Sequence, residues 1–228
     1  MHIAEGFLPG PWWYLWFLFT IPVVAYGLAR IRRTIEEDPS KKTLLAMAGA
    51  FIFVLSSLKL PSVAGSSSHP TGTGLSAILF GPSVTSVLSI IVLIYQALLL
   101  AHGGLTTLGA NTASMGIIGP LVGWLTWKAA EKTPLGTDLS VFLAAAAADL
   151  STYMVTSLQL ALAFPAKTGG VLASFKAFMA VFALTQVPLA LAEGLLTLYV
   201  MRTLFKLGTG LPEHLKHLQR SAAAGEAL

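Results

Sequence analysis

The stretch WWYLWFLFTIPVVAYGLARIRR, residues 12–33, decides the fold class of this chain. Residues 12–29 carry no charge and approach the roughly 20 apolar residues that a helix needs to cross a bilayer. Arg30, Arg32 and Arg33 follow at once, whereas no Lys or Arg precedes the stretch. Because basic residues collect on the cytoplasmic side, this pattern predicts a membrane-spanning helix with the N-terminus outside.

The composition of the whole chain extends this membrane assignment. Of 228 residues, 55% are apolar and 11% are charged, and the mean hydropathy is +0.75. Soluble domains carry about 25% charged residues, so lipid is the expected solvent for most of the surface. The chain has no Cys and no Walker A motif, which excludes thiolate metal sites and ATP hydrolysis by that route.

Apolar segments separated by polar loops predict the remaining helices. We expect helices over residues 44–60, 75–80, 83–101, 111–130, 138–163 and 175–201, with a tight turn at Gly81-Pro82. The chain is therefore predicted to be an all-α membrane protein, a bundle of seven transmembrane helices of which one is short, with six crossings as the alternative. Seven crossings put the C-terminus and most basic residues in the cytoplasm, so the net charge of +4 reflects topology rather than nucleic-acid binding.

This topology makes residues 1–228 a single integral membrane domain that crosses the plasma (inner) membrane several times. Its parts are an extracytoplasmic, metal-binding N-terminal peptide (1–11), a helical bundle (12–207) and a cytoplasmic tail (208–228). The N-terminal peptide then shares the outer face with several polar loops. Converging polar loops favour a binding pocket there.

The first two residues, Met1 and His2, offer metal ligands at that outer face. The α-amine, the amide nitrogen of residue 2 and its imidazole can reach one ion together. If the amide loses its proton, the donors lie nearly in a plane, which suits Ni²⁺, Cu²⁺ and low-spin Co²⁺ and fits Mg²⁺ or Ca²⁺ poorly. His69, in the loop SSSHPTGTG (66–74), could supply a fourth nitrogen. A chance His at position 2 and an exposed loop His are the alternatives.

Further polar residues could support such a site. Ser68 precedes the loop histidine, and His102 and Asn111 bracket the next outer loop. Each could bond the ligands of a metal, although Asn111 could instead cap a helix. Asp149 and Glu193 lie inside predicted spans, where charges are costly, and could form a proton pathway or interhelical contacts.

Small residues mark one side of the second helix, at Ala46, Gly49 and Ala50. Such residues let helices approach closely within a membrane. The stripe, Ala46 and Ala50 above all, could dock another membrane subunit or pack inside this bundle.

Several stretches together resemble one family. MHIAEGFLP (1–9), KLPSVAGSSSHPTGTGLSAILFGP (59–82), LLLAHGGLTTLGAN (98–111) and LTQVPLALAEGLLT (184–197) are similar to the CbiM/NikM family. Members of this family are the substrate-capture (S) components of cobalt and nickel energy-coupling factor transporters. The resemblance runs across nearly the whole chain and is closer to the cobalt branch, CbiM.

The resemblance implies a bundle that captures Co²⁺ for cobalamin biosynthesis and is not itself an enzyme. It implies that the metal is held by the amine of Met1, the amide and imidazole of His2, and His69. It also implies partners, namely a transmembrane coupling subunit, ATPase subunits that hydrolyse ATP, and a small companion membrane subunit. Co²⁺ would be the transported substrate, and no organic cofactor is expected. A Ni²⁺-specific subunit and a stand-alone proton-coupled carrier using Asp149 and Glu193 are the alternatives.

Overall fold

Seven helical segments make up most of the described chain. The computed structural model describes residues 1–62, 65–207 and 211–216. The segments are α1 (Trp12–Glu37), α2 (Lys41–Ser57), α3 (Thr73–Phe80), α4 (Pro82–Leu99), the α5–α6 helix, α7 (Thr137–Ala163) and α8 (Gly170–Leu207). The α5–α6 helix joins α5 (Leu108–Asn111) to α6 (Gly119–Ala130) through π-helical turns at Thr112–Ile118. The predicted count of seven helices, one of them short, is confirmed within these residues.

Four of the described helices, α1, α4, α7 and α8, are long and apolar enough to cross a membrane. Large apolar side chains cover their outward faces. Leu18 on α1 and Leu184 on α8, for example, keep 73% and 80% of their surface exposed. Large exposed apolar patches mark contact with lipid or with another protein, and on helices long and apolar enough to cross a bilayer they indicate a membrane protein.

Several helices extend beyond the sequence pattern, α1 and α8 the furthest. α1 continues beyond residue 29 to Glu37, and its polar end carries the ion pairs Arg32–Glu36 and Arg33–Glu37, each with a nitrogen-to-oxygen distance of 2.7 Å. Oppositely charged residues four positions apart support a helix even where its apolar pattern has ended. α8 likewise begins at Gly170 rather than at residue 175.

The short helix α3 lies inside the bundle. Its residues from Thr73 to Leu79 are buried, and it packs against α2, α4, α6, α7 and α8. The predicted tight turn follows it. Gly81 has a φ of +83°, a left-handed conformation that glycine adopts without a Cβ penalty, and Pro82 begins α4. The chain therefore reverses from α3 into α4 across one residue.

A small antiparallel sheet, absent from the all-α prediction, joins the N-terminus to the loop before α3. It comprises β1 (His2–Ile3), β2 (Leu60–Pro61) and β3 (Ser66–Ser68), in the order β1-β3-β2. His2 pairs with Ser67, and Leu60 pairs with Ser68. Strands of two or three residues are too short to show an alternating apolar pattern, so the sequence could not indicate them.

The chain returns to the bundle after α8. Leu211 and Leu215 are buried in one apolar cluster with Trp127 of α6. Of the predicted tail 208–228, residues 211–216 thus pack against the helices, whereas 208–210 and 217–228 lie outside the described residues.

Candidate metal centre

The N-terminal peptide is buried in the bundle. Met1 and Ile3 have no exposed surface, and His2 keeps 1%. The first and third side chains pack in one apolar cluster with Tyr153 of α7 and Phe182 of α8. This packing draws the α-amine out of solvent, so the candidate ligands of the first two residues lie inside the protein.

Strand pairing brings His2 to His69. β1 runs antiparallel to β3, and β3 leads directly into His69. The two imidazoles meet through His2 Nδ1 and His69 Nε2, with ring centroids 4.3 Å apart. His69 Nδ1 donates a hydrogen bond to the Pro70 carbonyl oxygen at 2.8 Å. Because the proton is then on Nδ1, the Nε2 lone pair is free for a metal.

His102 joins the same cluster. Its ring centroid lies 4.3 Å from that of His2 and 4.9 Å from that of His69. One ring nitrogen from each of the three histidines lies within 4.8 Å of the other two. The sequence predicted His102 as a supporting group around the ligands, whereas the structure puts its ring among them. Sequence spacing could not show this, since α3 and α4 separate His69 from His102 along the chain.

Glu193 of α8 holds the loop that carries His69. Its carboxylate accepts hydrogen bonds from the Thr71 backbone N–H, from the Thr71 hydroxyl at 2.9 Å and from the Gly72 N–H at 2.9 Å. These bonds satisfy a buried carboxylate and fix the backbone that follows Pro70. The sequence marked Glu193 as a costly charge inside a span, but its partner in the loop could not be foreseen.

The side chain of Asn111 forms hydrogen bonds to the N-terminal strand, β1. Its side-chain amide bonds both backbone groups of Ile3, at 2.8 Å to the N–H and at 3.0 Å to the carbonyl oxygen. The Thr107 hydroxyl donates to the same carbonyl oxygen at 2.9 Å. The alternative that Asn111 caps a helix is wrong, because its side chain makes no capping bond. It supports the residue next to His2 instead.

The other predicted site residues lie apart from the ring cluster. Ser68 Oγ accepts a hydrogen bond from the Thr185 hydroxyl at 2.8 Å, which ties β3 to α8. Ala46 and Ala50 lie on the exposed face of α2. Together with Gly49 they line an apolar groove of about 590 Å³ between α1, α2 and α4.

Burial keeps the nitrogens of the cluster uncharged at neutral pH. Desolvation lowers the pKa of the Met1 α-amine from 8.0 to about 5. Desolvation, with the nearby N-terminal charge, lowers the pKa of His102 to about 3. It also holds the pKa of His2 and that of His69 well below the ordinary value of 6.5. The lone pairs are therefore available to a cation without prior loss of a proton.

Asp149 of α7 is a further buried acid near the cluster. Neither of its carboxylate oxygens has a hydrogen-bond partner among the described residues, and its side chain has no exposed surface. Its carboxyl lies within electrostatic range of the Met1 α-amine. A cation held by that amine would therefore be close enough to attract this carboxyl once it is ionised.

This arrangement can hold a cation through nitrogen. Three neutral imidazoles lie together in a buried setting, with the neutral α-amine of Met1 nearby. Nitrogen donors suit late first-row divalent metals better than Mg²⁺ or Ca²⁺. The helical bundle and this cluster define the class as membrane proteins that handle such metals.

The sequence model of one family matches most of the chain. The family is described as the cobalt uptake substrate-specific transmembrane region, and the match covers residues 2–210. The chain belongs to this family, CbiM. The resemblance found in the sequence is thereby confirmed.

Named relatives share most of the chain. It is 58% identical over 206 residues to the cobalt transport protein CbiM of Salmonella typhimurium, an alignment that covers 90% of this chain and 84% of that protein. It is 60% identical over 200 residues to the protein of the same name from Chlorobium limicola, covering 88% of this chain and 79% of that one. This chain is accordingly a component of metal uptake.

Two solved structures share the fold. A truncated transition metal transporter matches with a TM-score of 0.79 at 25% sequence identity, covering 90% of this chain and 99% of that one. A second transition metal transporter matches with a TM-score of 0.76, also at 25% identity, covering 89% and 93%. Both agree with metal transport as the role of the fold.

Proposed function

We propose that this chain is the membrane subunit that captures Co²⁺ for an ATP-driven importer of the energy-coupling factor type. Four nitrogens would hold the ion: the Met1 α-amine, the His2 amide, His2 Nδ1 and His69 Nε2. The contact between His2 Nδ1 and His69 Nε2 carries the proposal, because a planar chelate needs these two nitrogens side by side. The names of the relatives support cobalt as the substrate. Ni²⁺ is the second candidate ion, since it also suits planar nitrogen donors.

The protonation state of the ligand nitrogens allows the ion to bind. The amine and the imidazoles are neutral and donate their lone pairs directly, whereas the His2 amide gives up its proton when the ion binds. Glu193 and Asn111 hold the loop and the strand that carry the ligands. The carboxyl of Asp149 would offset part of the positive charge that enters this buried setting.

Energy for transport would come from partner subunits. We place the N-terminus outside the plasma (inner) membrane and the C-terminus in the cytoplasm, because basic residues such as Arg30 follow the first span. ATPase subunits would act through a transmembrane coupling subunit, with a small companion membrane subunit alongside. The apolar groove at Ala46, Gly49 and Ala50 is the proposed docking surface for the coupling subunit, since small residues let a partner helix approach closely.

Titration of two N-terminal forms tests the metal site. Protein with a free Met1 amine is compared, by calorimetry with elemental analysis, with protein that carries one additional Gly before Met1. A form with the additional Gly at the C-terminus is the matched control. We expect stoichiometric Co²⁺ binding by the native and control forms and loss of binding by the N-terminally extended form, because the extension moves the amine away from His2. Equal binding by all three would contradict the amine as a ligand, and binding by none would contradict metal capture.

A stand-alone proton-coupled carrier is the second candidate function. The buried carboxyl of Asp149, which has no hydrogen-bond partner in residues 1–62, 65–207 and 211–216, favours it. Liposomes that hold only this chain separate the two functions. We expect an imposed pH gradient to drive no Co²⁺ uptake into them. Uptake that Asp149→Asn abolishes would instead identify a carrier.

A further inference from the structure

We propose that His102 is an apical fifth ligand that makes this site select Co²⁺ over Ni²⁺. The inference rests on the proposed function, since it adds one ligand to the planar set of Met1, His2 and His69. Three observations carry it: the closeness of the ring to both other rings, the state of its nitrogens and the position of a cavity beside it.

The ring of His102 stands across the other two. The His2 and His69 rings are tilted by only 31° to each other. The His102 ring makes angles of 62° and 85° with them, at centroid distances of 4.3 Å and 4.9 Å. One ring nitrogen of His102 lies within 4.8 Å of a nitrogen of each of the other two rings. Because the proposed set of Met1, His2 and His69 already fills the four planar positions, a fifth nitrogen this close would bind above that plane.

The nitrogens of His102 fit this apical role. His102 Nε2 is hydrogen-bonded to the Ser67 hydroxyl at 2.7 Å, whereas Nδ1 is buried and has no hydrogen-bond partner within the described part of the chain. A metal-ligating imidazole commonly bonds a protein group through its other nitrogen, which orients the ring. The hydroxyl lies on β3, the strand that also leads to His69, so one strand positions both rings.

A cavity of about 200 Å³ opens beside the cluster on the side of His102. Its lining includes His2, Lys59, Ser67 and His102, but neither Met1 nor His69. An ion that arrives through this cavity meets His102 and His2 before the more deeply placed ligands. His102 therefore lies on the open side of the planar set, where a fifth ligand has room to approach.

Electron count explains why a fifth nitrogen favours one metal. Low-spin Ni²⁺ is satisfied by four planar donors and gains little from an axial one. Low-spin Co²⁺ has an unpaired electron in the orbital that points along the axis, and it readily takes an axial nitrogen. An apical imidazole thus stabilises bound Co²⁺ and leaves Ni²⁺ binding nearly unchanged.

Electron paramagnetic resonance of Co²⁺-loaded protein tests the ligand directly. An axial ¹⁴N splits each cobalt hyperfine line into a triplet, and ¹⁵N-labelled histidine converts the triplet into a doublet. We expect the triplet in the unaltered protein and its loss in His102→Gln. His214→Gln is the matched control, because the His214 ring bonds the Ile78 carbonyl oxygen at 3.1 Å and takes no part in the cluster.

Titrations of the same variants measure selectivity. His102→Gln is expected to weaken Co²⁺ binding by about tenfold or more while Ni²⁺ binding changes by less than about threefold. Unaltered protein that binds Co²⁺ without axial nitrogen splitting would overturn the inference and leave the proposed function standing. An equal loss of affinity for Co²⁺ and Ni²⁺ in His102→Gln would also overturn it. Even if the variant does not fold, the labelled unaltered protein shows whether the axial nitrogen belongs to a histidine, and a triplet that labelling leaves unchanged would overturn the inference.

Discussion

Glu5 packs directly on Gly104. A Cβ on residue 104 would lie 2.5 Å from the Cα of Glu5 and 2.6 Å from its Cβ. The Glu5 carboxylate also accepts a hydrogen bond from the Thr106 N–H at 3.1 Å, and the Glu5 N–H donates to the Gly103 carbonyl oxygen at 3.1 Å. The loop after His102 therefore fits the N-terminal peptide because residue 104 has no side chain.

Gly104→Ala is expected to displace the N-terminal peptide. Overpacking of this kind costs about 1–3 kcal/mol, so both the melting temperature and the Co²⁺ affinity should fall, the latter by about tenfold. Thermal melting and calorimetric titration measure the two effects. Gly10→Ala is the control, because a Cβ there lies at an ordinary 3.7 Å from Trp13 Nε1. Equal behaviour of the two variants would show that the close approach has no role in metal binding.

Asn111→Asp should weaken Co²⁺ binding by about tenfold or more, the usual effect of removing a group that orients ligands. The substitution preserves the size of the side chain but replaces the donor that bonds the Ile3 carbonyl by a carboxylate oxygen that repels it. Asn111→Ala removes the bonds without the repulsion and should be milder. Calorimetric titration of both variants with Co²⁺ compares their affinities. The supporting role of Asn111 is contradicted if Asp at this position binds Co²⁺ as tightly as Asn does.

Glu193→Gln should loosen the loop that carries His69. The Thr71 N–H and the Gly72 N–H bond different oxygens of the carboxylate, so the new amide NH₂ group would face one of these two donors and at least one bond is lost. We expect faster hydrogen exchange at these two amides and weaker Co²⁺ binding. Glu131→Gln is the control, since the Glu131 carboxylate pairs with Lys128 at 2.8 Å near the end of α6. Unchanged hydrogen exchange at these amides in Glu193→Gln would contradict the proposal that Glu193 holds the loop.

Ala50→Leu should separate metal capture from subunit docking. The larger side chain fills part of the apolar groove, so the coupling subunit should no longer co-purify with the chain, while Co²⁺ titration should be unchanged. Ala192→Leu, at an exposed position on α8, is the control and should leave both properties intact. Retained co-purification of Ala50→Leu would place the docking surface elsewhere.

Much of the fold could be predicted from local sequence. The helices and the turn at Gly81-Pro82 follow from apolar segments and their interruptions. The two-residue and three-residue strands could not be found in this way, since they depend on partners elsewhere in the chain. The end of α1 at Glu37 also escaped the apolar pattern, because charge pairs rather than apolar residues support it.

The candidate site likewise contains residues that the sequence could predict and contacts that it could not. Met1, His2 and His69 could be proposed from the sequence because their donor chemistry is intrinsic to the residues. The entry of His102 into the ring cluster and the bond of Glu193 to Thr71 could not, since each joins residues that whole helices separate.

The sequence by itself determined a membrane bundle with nitrogen donors in polar segments, because hydropathy and side-chain chemistry are local properties. The tertiary structure alone decided how those donors meet. It paired β1 with β3, buried the α-amine and set the ring of His102 across those of His2 and His69. These relations arise from packing between distant segments, which no periodic pattern in the sequence records.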